Sequence, residues 1–399
     1  MDGLYFLASV GVSLYSCYTS KNIVNFDDLS PYIEKFEKDG VVVIPNILSS
    51  DELDEVRKGL HKALLSHKVD PFNLKETSKN ITSLSSTGGA GGVLDFFYYN
   101  FKLQLIENQK IFSIFKRLFK LWNNKSVNNS VENDVWSHPF GNFDDEIGYA
   151  YIDRVCYRLP ESYNYSIHDQ SNSINGGNSD VRGKKKRDRH LQRSLTPHLD
   201  CCPHKLFEEK TVLNAVKWRP IQAFVALTDC TTPNHGGFEA CYGLHHDFNN
   251  WAHNRPADNV SRITTTTTTT TTGEAPCKGD FTPIRPGLDV SVLEGMQHVS
   301  VPAGGLCLWD NRIPHANARF NHGEPREAIY VSILPAVSCN KRYAKEQLKA
   351  LQQGIAPGDQ WREKKKQMLS ASNKVVIGTD YHYSFNPLAR KLLLMESWY

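Results

Sequence analysis

His198 and Asp200 stand two residues apart in the run Thr196-Pro-His-Leu-Asp. In extended backbone, residues at this spacing project to the same face, so an imidazole and a carboxylate can grip one metal ion from one side. Leu199, between them, turns away into packing. His-x-Asp is a weak signal alone, and its ordinary counterpart is a surface pair or an aspartate holding a histidine tautomer. The signal sharpens at Trp309-Asp-Asn-Arg-Ile-Pro-His-Ala-Asn317, where His315 follows an apolar strand. Arg326 comes eleven residues later and opens another strand, Glu327 to Leu334. The spacing predicts adjacent antiparallel strands carrying His315 and Arg326 side by side.

Two histidines and one carboxylate on a single face leave three metal positions open, which is the donor set of non-haem iron(II) oxygenases. A keto acid can fill two of them and dioxygen the third. An arginine at the pocket floor suits the far carboxylate of such an acid, because its planar fork gives two parallel charge-assisted hydrogen bonds. Arg319 and Arg312 are the alternatives to Arg326 for that role. Gln222, Phe224, Ala226 and Thr228 share one face of a strand and are candidate pocket residues, Phe224 for packing on the co-substrate. Which face of that strand points inward stays open. Cys201 and Cys202 directly follow Asp200 and raise zinc as the rival, since thiolates select softer metals. A closed zinc site, however, has no use for an arginine pocket. His245 and His246 make a tempting ligand pair, but neighbours on a strand face opposite ways.

The elements that must position these residues fall into two regimes. Residues 31–70 read as helix, strand, helix: Gly40 ends the first helix, and Val41 to Ile44 form a strand stopped by Pro45. Ser49 and Glu52 make a capping box for a helix whose Leu53, Val56, Leu60 and Leu64 share a face. A further amphipathic helix runs near Ile111, Phe115, Leu118, Phe119 and Trp122. Thr87 to Gly92 is glycine-rich but lacks the Gly-Lys-Ser/Thr ending of a phosphate loop, so it reads as a flexible turn. From Tyr149 the period becomes strand-like. Strands are expected at 149–158, 221–228, 298–301, 305–309 and 327–334, a pattern of many short strands that suggests a barrel or sandwich. A helix is expected at 343–353, then irregular chain.

Apolar residues make up 40% and charged residues 22%, the balance of a soluble globular protein. The formal charge of +3 is local in origin, because Arg182 to Arg193 holds seven Lys/Arg against one Asp. A basic loop on a neutral body is not the broad basic face of a nucleic-acid binder, although a flap drawing in anionic substrates is a minority reading. Nine scattered cysteines, none spaced Cys-x-x-Cys, argue against a disulfide framework or zinc ribbon and for a reducing, cytoplasmic compartment. Residues 3–20 are uncharged but lack the basic start of a targeting signal, and no segment reads as a membrane span. Residues 162–193 and the nine threonines of 264–272 cannot bury enough apolar surface to order themselves.

Taken together, these motifs resemble the phytanoyl-CoA dioxygenase family of iron(II)- and 2-oxoglutarate-dependent oxygenases. The phrase FEKDGVVVIPNILSSDELDEVRKGL (36–60) looks like the family's opening, TPHLD (196–200) like its His-x-Asp motif, and PIQAFVALTDCTTPNHGGFEACYGLHH (220–246) like its central strand. WDNRIPHANARFNHGEPR (309–326) matches the distal histidine and arginine. Two departures stand out: His235 splits Asn234 from Gly236, and Leu244 stands where serine is usual. The resemblance covers roughly residues 30–340, insertions aside, and in combination its motifs are specific.

The resemblance implies a mainly β fold, a double-stranded β-helix of the jelly-roll or cupin-like type, braced by N-terminal helices and a C-terminal helical extension. It implies iron(II) ligands at His198, Asp200 and His315, with 2-oxoglutarate held by Arg326 and dioxygen as co-substrate. On this reading 1–29 is an extension, 30–147 a helical bracing region, 148–338 the oxygenase core with mobile insertions at 162–193 and 255–280, and 339–399 the helical extension. Asp200 favours hydroxylation, because halogenating relatives replace that carboxylate with a small residue. The expected partner is a small-molecule or lipid-like substrate, not nucleic acid. A non-catalytic binding protein, a zinc hydrolase and a nucleic-acid demethylase are the competing readings.

Overall fold

The computed structural model describes residues 28–126, 135–136, 138–165, 190–203, 216–255, 281–357 and 383–399. The apolar stretch at 3–20, the basic run through 189, the threonine tract and most of the 162–193 and 255–280 insertions lie outside them. Among the described residues, no helix is long and apolar enough to cross a membrane.

The chain opens with helix α1 (Ser30–Asp39), whose C-cap Gly40 takes the left-handed conformation at φ 70° and returns its N–H to the Phe36 carbonyl. Strand β1 (Val41–Ile44) follows directly. Ser49 then starts helix α2 (Ser50–Ser66) with both halves of the expected capping box in place. Helix α3 (Gln109–Ser126) is the second amphipathic helix. The other strands and longer helices follow in chain order, shorter helical turns aside. They are β2 (Val93–Leu94), β3 (Gly148–Arg158), β4 (His198–Leu199), β5 (Ile221–Ala226), β6 (Phe238–Cys241), helix α4 (Leu244–Asn254), β7 (Thr282–Pro283), β8 (Met296–His298), β9 (Leu306–Asp310), β10 (His315–Asn317), β11 (Arg326–Pro335) and helix α5 (Ser338–Gln353).

These strands form two antiparallel sheets, a major one in the order β1-β9-β5-β11-β3-β2 and a minor one in the order β7-β4-β10-β6-β8. The alternation of side chains decides what each face meets. Ile221, Ala223, Val225, Leu306, Leu308 and Ile329 point outward into the large core shared with α2 and α3. Phe224, Ala226, Cys307, Trp309 and Ala328 point inward and meet Phe238 and Ala240 of the minor sheet. The inner face of β5 is therefore the even-numbered one, which carries Gln222 and Phe224.

Several expectations are corrected here. The fold is mixed helix and antiparallel sheet rather than mainly β, and the two sheets face each other without closing into one barrel. β8 ends at His298, and Val301 makes only an isolated bridge to Cys230. α5 begins five residues before the expected helix, and the tail forms a short helix, Pro387–Leu392. His245 and His246 lie on helix α4, where their Nε2 atoms meet the Glu37 and Lys38 carbonyls at 2.9 and 3.0 Å. They serve the α1 terminus, not a metal.

β3 carries a bulge: Ile329 pairs with Val155 and Val331 with Ile152, so Asp153 and Arg154 together oppose Tyr330. The bulge carbonyl of Asp153 accepts the amine of buried Lys102. Burial pulls that amine from its ordinary 10.5 down to about 7, against the attraction of Asp153. The glycine turn is no loose loop either. Gly91 and Gly92 are buried at φ 65° and 79°, and a Cβ on Gly92 would stand 2.7 Å from the Arg158 backbone.

Gly92→Ala should therefore lose about 1–3 kcal/mol of stability through backbone strain and the clash, read as a lower urea midpoint. Lys102 generates a pH prediction. Between about pH 7 and 10.5 the unfolded chain holds a proton on Lys102 that the folded chain has lost, so this group makes stability rise with pH across that window. Below it both states are protonated and the contribution stays constant. Lys102→Met should flatten the rise, as measured by urea unfolding at both ends of the window.

Candidate metal centre

The minor sheet assembles the site through one pairing: in the β4–β10 ladder, His315 is the direct partner of His198. Asp200 follows β4 on the same side. Asp200 Oδ1 lies 3.5 Å from His198 Nε2, and Asp200 Oδ2 lies 3.7 Å from His315 Nε2. One ligand atom from each residue can be chosen so that all three lie within 4.8 Å of one another, the only such cluster found among the described residues.

Each imidazole is also oriented. His198 Nδ1 donates to the Thr196 carbonyl at 2.9 Å, and His315 Nδ1 donates to the Ile313 carbonyl at 3.0 Å. Those bonds leave both Nε2 lone pairs aimed at the common point, as metal-binding histidines require. Burial, reinforced by the His198 ring, pushes His315 down to about 3 despite the pull of Asp200, so its ring is neutral near pH 7. Burial also pushes Asp200 up, but the His198 hydrogen bond and the charges of His198, His315 and Arg219 outweigh it and hold the carboxyl well below its usual range. A carboxylate ion beside the neutral imidazole of His315 suits a divalent cation. Asp200 keeps 30% of its side chain exposed while His198 keeps 5% and His315 7%, so the centre is open on one side.

That open side is a cavity of about 390 Å³, lined by Gln222, Phe238, Trp309, Asn317, Tyr330 and Phe281 around His198, Asp200 and His315, with Asp153, Arg154 and Arg193 also contributing. Arg326 is buried behind it. The expectation of adjacent strands for His315 and Arg326 fails, because β10 belongs to the minor sheet and β11 to the major one. The link between them is Asn317, whose Oδ1 accepts from Arg326 Nη1 at 2.9 Å and whose Nδ2 donates to the Gly91 carbonyl at 3.0 Å. Arg326 Nη1 also meets Cys156 Sγ at 3.3 Å, and the guanidinium lies 5.0 Å from the centre of the Phe224 ring. Phe224 thus packs on the arginine.

Among the buried side-chain atoms of the described residues that lack a hydrogen-bond partner, three are donors at this site: Arg326 Nη2, Gln222 Nε2 and Trp309 Nε1. Gln222 and Trp309 are direct partners in the β5–β9 ladder, so two of them sit side by side on the cavity wall. Unpaired buried donors are costly, and three around one candidate metal cluster are placed to receive an oxygen-rich guest. The donor set fits iron(II) together with a keto dicarboxylate. The alternative arginines do not compete: Arg319 is exposed, and Arg312 is committed to Asp310 at 2.8 and 2.6 Å. The cysteines do not compete either. Cys201 donates to the Asn311 carbonyl at 3.4 Å, and Cys202 is disulfide-bonded.

Sequence reasoning missed Trp309, Asn317, Tyr330 and Arg219. The first two lie inside the quoted distal motif and could have been found by asking which neighbours of His315 share its face. Tyr330 and Arg219 carry no such signal, because their place depends on the bulge and on the approach to β5.

The sequence matches no protein-family model and no curated protein. Solved structures do share its fold. The GlcNAc Inducible Gene 2 protein of Candida albicans is 13% identical, with TM-score 0.60 over 94% of this chain and 78% of that one. A provisionally assigned oxidoreductase from Salmonella typhimurium LT2 is 13% identical, with TM-score 0.56 over 92% and 83%. A hypothetical protein from Escherichia coli is 13% identical, with TM-score 0.54 over 92% and 82%. At this identity the likeness is one of fold. None of these descriptions names the phytanoyl-CoA dioxygenase family, so the resemblance to it rests on the motifs.

His198→Ala, Asp200→Ala and His315→Ala should each greatly weaken iron(II) binding with the thermal melt of the metal-free protein little changed. Wild-type iron content in any one variant would remove that residue from the ligand set.

Proposed function

We propose that this chain is an iron(II)- and 2-oxoglutarate-dependent oxygenase that hydroxylates a small organic or lipid-like substrate, its two sheets forming a double-stranded β-helix. The observation that carries the reading is the unpaired Nη2 of Arg326, a buried cation with one donor nitrogen unmet behind an open two-histidine, one-carboxylate cluster. When bound, iron(II) supplies the redox chemistry that couples dioxygen and the decarboxylation of 2-oxoglutarate to succinate with oxidation of a C–H bond. The protein's own residues do the rest. His198, Asp200 and His315 hold the ion by one face. Arg326 takes the far carboxylate of the co-substrate, with Asn317 fixing the angle of its fork and Phe224 backing it. Gln222 and Trp309 donate to the remaining oxygens on the cavity wall.

The cavity of about 390 Å³ falls in the range of small-molecule sites, roughly 300–1,000 Å³, which suits a small substrate beside the co-substrate. Its aromatic walls favour an apolar body, and Arg154 and Arg193 offer a polar end. Retention of Asp200 favours hydroxylation over halogenation. The provisional assignment of the Salmonella neighbour as an oxidoreductase points the same way.

Purified protein loaded with iron(II) should release succinate from 2-oxoglutarate in a dioxygen-dependent assay. Arg326→Leu should raise the half-saturating 2-oxoglutarate concentration about 10- to 100-fold with iron retained, since one charge-assisted bond worth about 1.5–3 kcal/mol is lost. An unchanged concentration would take the anchor role from Arg326.

A further inference from the structure

We propose that Arg219 is a positioning residue of the metal centre, holding the second oxygen of Asp200 so that this carboxylate ligates through one oxygen only. The inference rests on the oxygenase reading and extends it to a residue outside the ligand set and the co-substrate anchor. Arg219 stands just before β5, with only 12% of its side chain exposed. Its Nη2 lies 3.4 Å from Asp200 Oδ2, its Nη1 lies 3.2 Å from Asp153 Oδ2, and its guanidinium lies 4.6 Å from the centre of the Tyr151 ring. A planar fork held on three sides has one orientation available.

The two oxygens of Asp200 are therefore unlike. Oδ1 faces His198 Nε2, whereas Oδ2 is shared between His315 Nε2 and Arg219. The difference matters because the centre has few positions to spare. Two imidazoles, one carboxylate oxygen and a chelating keto acid leave one position of an octahedral ion for dioxygen. A carboxylate gripping through both oxygens would close it. A guanidinium N–H on Oδ2 engages that oxygen and draws its charge away from the ion, so chelation would forfeit the charge-assisted bond.

The support for Arg219 reaches further back. Asp153 is one of the two bulge residues of β3, which turns it toward the cavity, and its carbonyl is tied to the buried amine of Lys102. A bulge that re-aims a side chain beside a site is a recurring use of that irregularity.

The test uses the full chain loaded with manganese(II) and 2-oxoglutarate without oxygen turnover, and counts metal-bound water by water-proton relaxation. Wild-type protein should keep one exchangeable water on the ion after 2-oxoglutarate binds. Arg219→Gln should lose that water while binding manganese(II) and 2-oxoglutarate as wild type does. With iron(II), its dioxygen-dependent succinate release should fall about 10- to 100-fold, the usual cost of removing an outer partner of a metal ligand. Arg219→Lys, which keeps the charge and one donor, should restore part of the water signal, and Asp153→Asn should lose part of it. An unchanged water signal in Arg219→Gln would overturn the assignment. So would loss of manganese(II) itself, which would make Arg219 a general support of the cluster. Failure of wild-type protein to bind manganese(II) or 2-oxoglutarate would instead overturn the oxygenase reading, and this inference with it.

Discussion

Everything at the centre depends on the pairing of two very short strands. β4 has two residues and β10 three, yet their register sets His198 against His315, residues more than a hundred positions apart. Few hydrogen bonds hold so short a ladder, so its register must be fixed from outside. Leu199 is fully buried in a satellite core with Cys201, Phe248 and Ile284, and Ala316 is closed in on the other side of β10. A slip of β4 by one residue would drive Leu199 into the cavity and His198 into packing. The imidazoles face the cavity because the apolar residues beside them cannot.

The arginine behind the cavity obeys a different constraint. A buried guanidinium needs acceptors, and Arg326 finds one in Asn317 and a weak one in Cys156, leaving Nη2 unmet. Asn317 is itself held by the Gly91 carbonyl, which can come so close only because the turn is built of glycines: a Cβ on Gly91 would stand 2.7 Å from Asn317 Nδ2. The glycine run, the distal motif and the arginine strand are three separate stretches of sequence joined into one support for one cation.

The cluster of His198, Asp200 and His315 and the arginine proposed as anchor were legible as candidates in the sequence because metal chemistry dictates residue types and an extended chain dictates the spacing of His198 and Asp200. The capping box at Ser49 and the αL end at Gly40 were legible for the same local reason. The relation of His315 to Arg326 was not, because the eleven residues between them carry the chain from one sheet to the other, and no periodicity records such a crossing. The helix bearing His245 was misread as strand from two residues whose partners, the α1 carbonyls, lie two hundred positions upstream. Tyr330, Asp153 and Arg219 became visible only with the bulge, which is a property of paired strands and not of either strand alone.

In the proposed function, iron(II) and 2-oxoglutarate meet at one point in this chain. A keto acid chelated to iron(II) gives a visible charge-transfer absorption that neither component shows alone. Without oxygen, adding iron(II) and then 2-oxoglutarate to the metal-free protein should produce that band at one equivalent of each, and admitting oxygen should discharge it. Tight iron binding with no band on adding 2-oxoglutarate would contradict the account.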